Sequence, residues 1–224
     1  MPGVGLLRLH ASSPALLAVF GLACSSGSTH TAPVDAGANH ARAFATSTGY
    51  TGNLRAEGNA STGPLAADKL CEQVAAAAGL PGTFKAWLSD ATSNAVDRIQ
   101  DVPGGWYSVP MVVSGVDGGT EYPIAADKSA LVATGVGVNM LDEHGNIRPG
   151  CAWTGTLPNG TKVVNGPAPG SDGRCTDWTS SGADYAIAGN IGPASTALSE
   201  CDVSSGLAVT QCSQKQPIYC FEQN

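Results

Sequence analysis

The sequence predicts an α+β domain with few long elements, and three observations carry that prediction. One amphipathic helix lies early in the chain. The strand-like runs after it are short and separated by glycines. The 29 Gly and 14 Pro among 224 residues follow no Gly-X-Y period, which describes a loop-rich globular chain and excludes a triple helix. A hydrophobic share of 42% against 13% charged residues excludes a wholly disordered chain, and the length suits one domain with appendages.

Met1 to Ala23 reads as an export signal. Arg8 and the α-amine are its only positive charges, and the apolar run Pro14-Ala-Leu-Leu-Ala-Val-Phe-Gly-Leu-Ala23 is too short for a permanent membrane span. Cys24 follows Gly21-Leu22-Ala23, which resembles a bacterial lipobox with Gly21 where Leu is usual. Lipidation at Cys24 is preferred to ordinary secretory cleavage near Ala23 or Ser26. Acyl chains there would anchor the protein to a membrane. Ser25 after the cysteine implies outer-membrane sorting by analogy; without lipidation the chain is secreted. Residues 24–43, small and polar, form a flexible tether. A metal site on its His30 and His40 is disfavoured by the ordering entropy of a floppy segment.

The domain is expected over 44–224. Gly63-Pro64 precedes a helix over Leu65–Ala78, with Ala67, Leu70, Cys71, Val74 and Ala77 on one face and Gly79 as its left-handed stop before Pro81. A strand follows over Thr83–Ser89, with Phe84, Ala86 and Leu88 alternating with Lys85 and Trp87. Ser89 or Asp90 is placed to cap a short helix over Ala91–Ile99. Strand-like runs come next at Tyr107–Val113, Tyr122–Ile124, Leu131–Met140 and Gly150–Thr156. Gln216–Phe221 closes the chain as a last strand.

The segment Cys71-Glu-Gln-Val-Ala-Ala-Ala-Ala-Gly-Leu-Pro-Gly-Thr-Phe-Lys-Ala-Trp-Leu-Ser-Asp90 resembles the endostatin domain found at the C-terminus of certain collagens. Further similar blocks are Ala152-Trp-Thr-Gly-Thr-Leu-Pro-Asn-Gly160, Cys175-Thr-Asp-Trp178, and Cys212 through Pro217-Ile-Tyr-Cys-Phe-Glu222. Tyr50-Thr-Gly-Asn-Leu54 resembles the opening segment of similar modules in bacterial exported proteins. The resemblance implies a C-type-lectin-like fold: a mixed, twisted sheet with two helices and long disulfide-tied loops. It also implies two nested disulfides, Cys71–Cys220 and Cys175–Cys212. Cys151 and Cys201 have no counterpart in that pattern, so their pairing follows only by elimination. Cys24 is then the odd one of seven. Disulfides would place the domain outside the cytoplasm. A cysteine-rich zinc site is disfavoured, because no C-x-x-C occurs.

Little in the sequence suggests catalysis. No nucleophile elbow, H-E-x-x-H, P-loop or EF-hand pattern is present, and Gly135-Val-Gly137-Val-Asn-Met140 is only a fragment of a dinucleotide fingerprint. His144, in Asp142-Glu143-His144-Gly145, reads as part of a polar turn. Asp90, Asp97, Asp117, Asp172 and Asp177 likewise suit turns better than a catalytic pair. No catalytic, cofactor-binding or metal-binding residue is therefore expected, and no cofactor.

Two properties of endostatins also lack their residues here. The zinc histidines have no equivalent in residues 44–65, and Arg55, Arg98, Arg148 and Arg174 are scattered rather than clustered. The net charge of −7, or −8 once Arg8 leaves with the leader, opposes both nucleic acid and heparin-type polyanions. Calcium-lectin motifs are absent: Leu157-Pro-Asn159 lacks the preceding carboxylate, and Thr176-Asp-Trp178 is not Trp-Asn-Asp. The candidate ligand surface is Trp153, Asn159, Asp177, Trp178 and Tyr185, whose aromatics suit a neutral glycan. For Trp153 and Trp178, packing beside the Cys175 bridge is the stronger reading. The expected function is a non-enzymatic surface binding or adhesion module for a glycan or protein. A structural envelope protein without specific ligand, or a carboxylate-based hydrolase, is the alternative.

Overall fold

A computed structural model of the chain describes residues 40–112, 119–133, 140–166, 169–190 and 209–224. The leader, Cys24, His30, Asp117, most of the Leu131–Met140 run and Cys201 lie outside the described residues.

The chain enters through strand β1 (Ala41–Ala45), so the last residues assigned to the tether already belong to a sheet. Helix α1 (Leu54–Glu57) follows, started by the Asn53 side chain, which accepts from the Ala56 N–H. Helix α2 (Gly63–Ala77) comes next. It starts two residues before the predicted Leu65, because Thr62 Oγ1 accepts from Leu65 N at 3.3 Å and Pro64 fits the first turn. At its end Gly79 takes φ +74 while Leu80 N donates to Ala75 O, which closes the last turn. The buried stripe is Ala66, Ala67, Leu70, Cys71 and Ala75; Ala77, predicted for it, is exposed.

Strand β2 (Thr83–Ala86) is shorter than the predicted Thr83–Ser89, because Ser89 N leaves the sheet to donate to Thr154 O. The predicted second helix shrinks to α3 (Ala95–Arg98). Its cause is Asp90, whose carboxylate accepts from both the N–H and the hydroxyl of Thr92 and of Ser93. Those bonds fold residues 90–93 into a turn that competes with helix. Ser89 Oγ accepts from Ala95 N instead. Strand β3 (Trp106–Ser108) covers only the first two residues of the expected Tyr107–Val113 run, and β4 (Pro123–Ala125) is shifted by one residue from the expected Tyr122–Ile124. The Leu131–Met140 run does not begin as a strand. Asp127 Oδ1 accepts from Ala130 N and starts a helix, α4 (Lys128–Ala133). Strands β5 (Cys151–Trp153), β6 (Tyr185–Asn190), β7 (Val209–Gln211) and β8 (Tyr219–Gln223) complete the described chain.

The strands form two sheets. One has the order β2-β8-β1-β3-β4 and is mixed: β1 runs parallel to β3 and antiparallel to β8. The other, β5-β6-β7, is antiparallel. A bridge between Trp153 and Ile218 joins the two. Helix α2 covers one face of the larger sheet through Phe44, Leu70, Phe84 and Cys220. The opposite face is buried as well, by Trp87, Trp106, Tyr219 and Phe221. Trp87 was expected on the outward side of its strand; it is buried because α3, α4 and their loops cover that side.

Two disulfides are described, Cys71–Cys220 and Cys175–Cys212. The first ties α2 to β8. Cys151 is disulfide-bonded too, and its expected partner Cys201 lies outside the described residues. Such bonds form in an oxidising environment. No described helix is long and apolar enough to cross a membrane.

Candidate functional site

The two tryptophans of the predicted surface are not on the surface. Trp153 and Trp178 are each 0% exposed and meet edge to face at 6.1 Å. Both ring N–H groups are satisfied inside: Trp153 Nε1 donates to Tyr50 O at 2.8 Å, and Trp178 Nε1 donates to Ser89 O at 2.7 Å. A buried indole with its donor paired is a core residue, not a platform for a sugar.

Trp178 is held in place by an unusual backbone. Cys175, Thr176, Asp177 and Trp178 have φ of 53, 52, 52 and 66, so residues 175–178 form a left-handed helical turn. Non-glycine residues resist that conformation by roughly 1–2 kcal/mol each, so the surroundings must hold it. Three features do. The Cys175–Cys212 bridge pins its start. The Asp172 carboxylate accepts from the N–H groups of Arg174, Thr176 and Asp177 at 2.8, 3.2 and 2.7 Å. The Trp178 ring fills a slot between glycines: a Cβ on Gly63 would lie 2.2 Å from its ring, and one on Gly155 2.7 Å. Gly52 is equally constrained, because a Cβ there would lie 2.3 Å from Cys175 Sγ.

Arg174 lies behind the turn, its side chain only 9% exposed. It donates to Val163 O and stands 3.6 Å from carboxylate oxygens of both Asp172 and Asp177. This arrangement neutralises the buried guanidinium and joins the turn to the loop after β5.

That loop carries the site. Val164, Asn165, Gly166, Pro169, Gly170, Ser171 and Asp172 line an open depression of about 530 Å³. Its floor is fixed by backbone and side-chain bonds: Gly166 N donates to Ser171 O at 2.8 Å, and Ser171 Oγ donates to Tyr185 O at 3.0 Å. Asn165 and Val164 are exposed at the rim, Val164 by 74%. Two of the sequence-predicted residues reach this place indirectly. Tyr185 supports Ser171, and its hydroxyl accepts from Gln211 Nε2. Asp177 bonds Asp172 through its N–H and accepts from Ala91 N with its carboxylate. Asn159 does not reach it; it stands at the tip of a separate turn, bonded to Thr161. Asn165 and Ser171 carry no sequence signal beyond lying in a Gly-Pro-rich loop.

A second polar cluster joins β1 to the turn at 142–146. Asp142 and Glu143 are both buried, where the sequence suggested solvated turn residues. Asp142 accepts from the N–H groups of His144 and Asn146. Glu143 accepts from the Ser47 N–H at 2.7 Å and from the Ser47 hydroxyl. His144 Nε2 is 3.6 Å from the same carboxylate but its side chain is 54% exposed. Burial and the charge of Glu143, with a smaller effect of Glu57, hold the Tyr50 phenol above its usual pKa. The cluster fixes the turn to the residues after β1: Asp142 is committed to backbone N–H groups, and Glu143 to the N–H and hydroxyl of Ser47.

Among the described residues no set of three His, Cys, Asp or Glu side chains is arranged to hold a metal ion. No protein-family model matches the chain, and no curated protein matches it either.

Proposed function

We propose that the chain is an exported, lipid-anchored binding module with an endostatin-like, C-type-lectin-like domain and no catalytic activity. The observation that carries this reading is the depression at Val164–Asp172, built on a backbone turn that a disulfide, a buried arginine and a buried tryptophan hold rigid. A rigid support beneath an exposed loop limits the entropy lost on binding. The Asn165 side chain and the backbone of Gly170 offer hydrogen-bond groups at the rim, which suits a neutral, hydroxylated ligand such as a glycan. The Asp172 carboxylate and the acidic net charge oppose a polyanion. The non-enzymatic reading is supported by Asp90, Asp142 and Glu143: all three are buried, and each accepts from at least one backbone N–H that fixes a loop.

A glycan-array screen with the mature chain tests the reading. Binding to at least one neutral glycan is expected, weakened about tenfold by Asn165→Ala, the worth of one hydrogen bond. No binding to any glycan, or binding indifferent to Asn165→Ala, would refute the assignment to this depression. Mass spectrometry of the mature N-terminus tests the anchor: an acylated Cys24 is expected, and a free or absent Cys24 rules the anchor out.

A further inference from the structure

We infer that Asn159 is an acceptor for an asparagine-linked oligosaccharide. The sequence contains two Asn-x-Ser/Thr acceptor motifs, Asn59-Ala60-Ser61 and Asn159-Gly160-Thr161, neither interrupted by proline. Both asparagines are exposed, and the structure separates them.

Asn159 stands at the tip of a hairpin. Gly160 N donates to Leu157 O at 2.9 Å, and Leu157 N donates to Thr161 O at 2.8 Å, which closes a tight turn with Pro158 at its second position. Within that turn Asn159 Oδ1 accepts from Thr161 N at 3.1 Å and from Thr161 Oγ1 at 2.7 Å. The acceptor amide and the motif's hydroxyl are thus already in contact. Gly160 takes φ +81, and a Cβ there would lie 2.6 Å from Val96, so the middle residue has to be glycine. The bonds between Asn159 and Thr161 span only two residues, so this geometry forms locally and does not wait for the rest of the fold. Asn59 differs. It takes φ +46, its backbone carbonyl accepts from Lys69 Nζ, and no hydrogen bond joins its side-chain amide to Ser61.

The chemistry is a group transfer. A bond forms between Asn159 Nδ2 and the anomeric carbon of a sugar carried on a lipid pyrophosphate. The anomeric C–O bond breaks, the lipid pyrophosphate leaves with the electron pair, and one Nδ2 proton passes to a base of the transferase. An amide nitrogen is a poor nucleophile, because its lone pair is delocalised towards Oδ1. Two hydrogen bonds into Oδ1 stabilise charge on that oxygen and ease the loss of the Nδ2 proton. The oxidising compartment implied by the disulfides is where such transferases act.

The test is glycopeptide mass spectrometry on the full chain purified from the cells that produce it. A glycopeptide spanning Asn159 is expected, losing its sugar mass on treatment with a peptide-N-glycosidase, with higher occupancy than at Asn59. Thr161→Val, which removes the hydroxyl at nearly constant shape, should abolish that glycopeptide, whereas Thr161→Ser should retain it. Asn159→Gln should abolish it as well, and it leaves the backbone turn in place if Thr161→Val impairs folding. An unmodified Asn159, or a glycan there that survives Thr161→Val, overturns the proposal.

Discussion

Tyr219 is one of the described residues whose polar chemistry is left unbalanced by burial. Its hydroxyl is fully buried without a hydrogen-bond partner, and burial alone pushes its phenol pKa well above the usual value. The Trp87 ring N–H, in the same core cluster, is also unpaired. An unsatisfied buried hydroxyl costs about 1–3 kcal/mol, while the ring itself stabilises by packing. Tyr219→Phe keeps the ring and removes the cost. It is expected to stabilise the domain by about 1 kcal/mol in urea unfolding, and a loss of similar size would show that the hydroxyl is bonded to an internal water. Nothing in Pro217-Ile-Tyr-Cys-Phe221 announces this imbalance, because the sequence shows a strand and not which face of it is closed.

At the scale of elements, legibility follows how local the causes are. Helix α2 was readable because its periodic stripe and its glycine stop lie within or next to its own residues, although its Thr62 cap and its start at Gly63 were not. Strand β1 was not. Ala41-Arg-Ala-Phe-Ala45 has little strand propensity, and it is a strand because β8 and β3 pair with it on both sides. Its alanines are small where the large rings of Trp106 and Phe221 pack. The candidate site divides in the same way. The sequence offered Trp153 and Trp178 both as part of a ligand surface and, more strongly, as core beside the Cys175 bridge; they are core. The depression was not legible, because its floor depends on contacts between Ser171 and Tyr185 and on the left-handed turn. The turn at Asp90 shows how one local rule overrides another, since a residue placed to cap a helix instead builds a loop. Burial raises the Asp90 pKa, but hydrogen bonds from Thr92 and Ser93 outweigh it and leave the pKa below its usual value. A folded pKa below the unfolded one gives stability that is present above the unfolded value of about 3.9 and lost as pH falls through the folded one. Asp90→Asn should therefore destabilise at pH 7 by on the order of 1 kcal/mol, with the difference from wild type closing as pH falls below about 4. A gap that stayed constant from pH 7 to pH 3 would mean that the charge of Asp90 contributes nothing.

Across the whole molecule, the disulfides link elements that are distant in sequence. Cys71–Cys220 spans 149 residues and fastens the first long helix to the last strand, whereas Cys175–Cys212 spans 37 and fastens the turn beneath the candidate site. In the chain-entropy view the longer loop contributes more, about 5 kcal/mol against about 4. Their effects on function should run in the opposite order. Removing the outer bridge as Cys71→Ala with Cys220→Ala takes away a global restraint but leaves the left-handed turn held by Asp172, Arg174 and the inner bridge. Removing the inner bridge as Cys175→Ala with Cys212→Ala frees the turn, whose Cys175 packs against Gly52 and whose Trp178 packs against Gly63 and Gly155. The outer double variant is expected to lose more stability in urea unfolding while keeping ligand affinity at temperatures where it stays folded. The inner one is expected to lose less stability and more affinity. The reverse ranking in either measurement would separate the candidate site from the turn, because a depression that does not depend on Cys175–Cys212 has its shape set elsewhere.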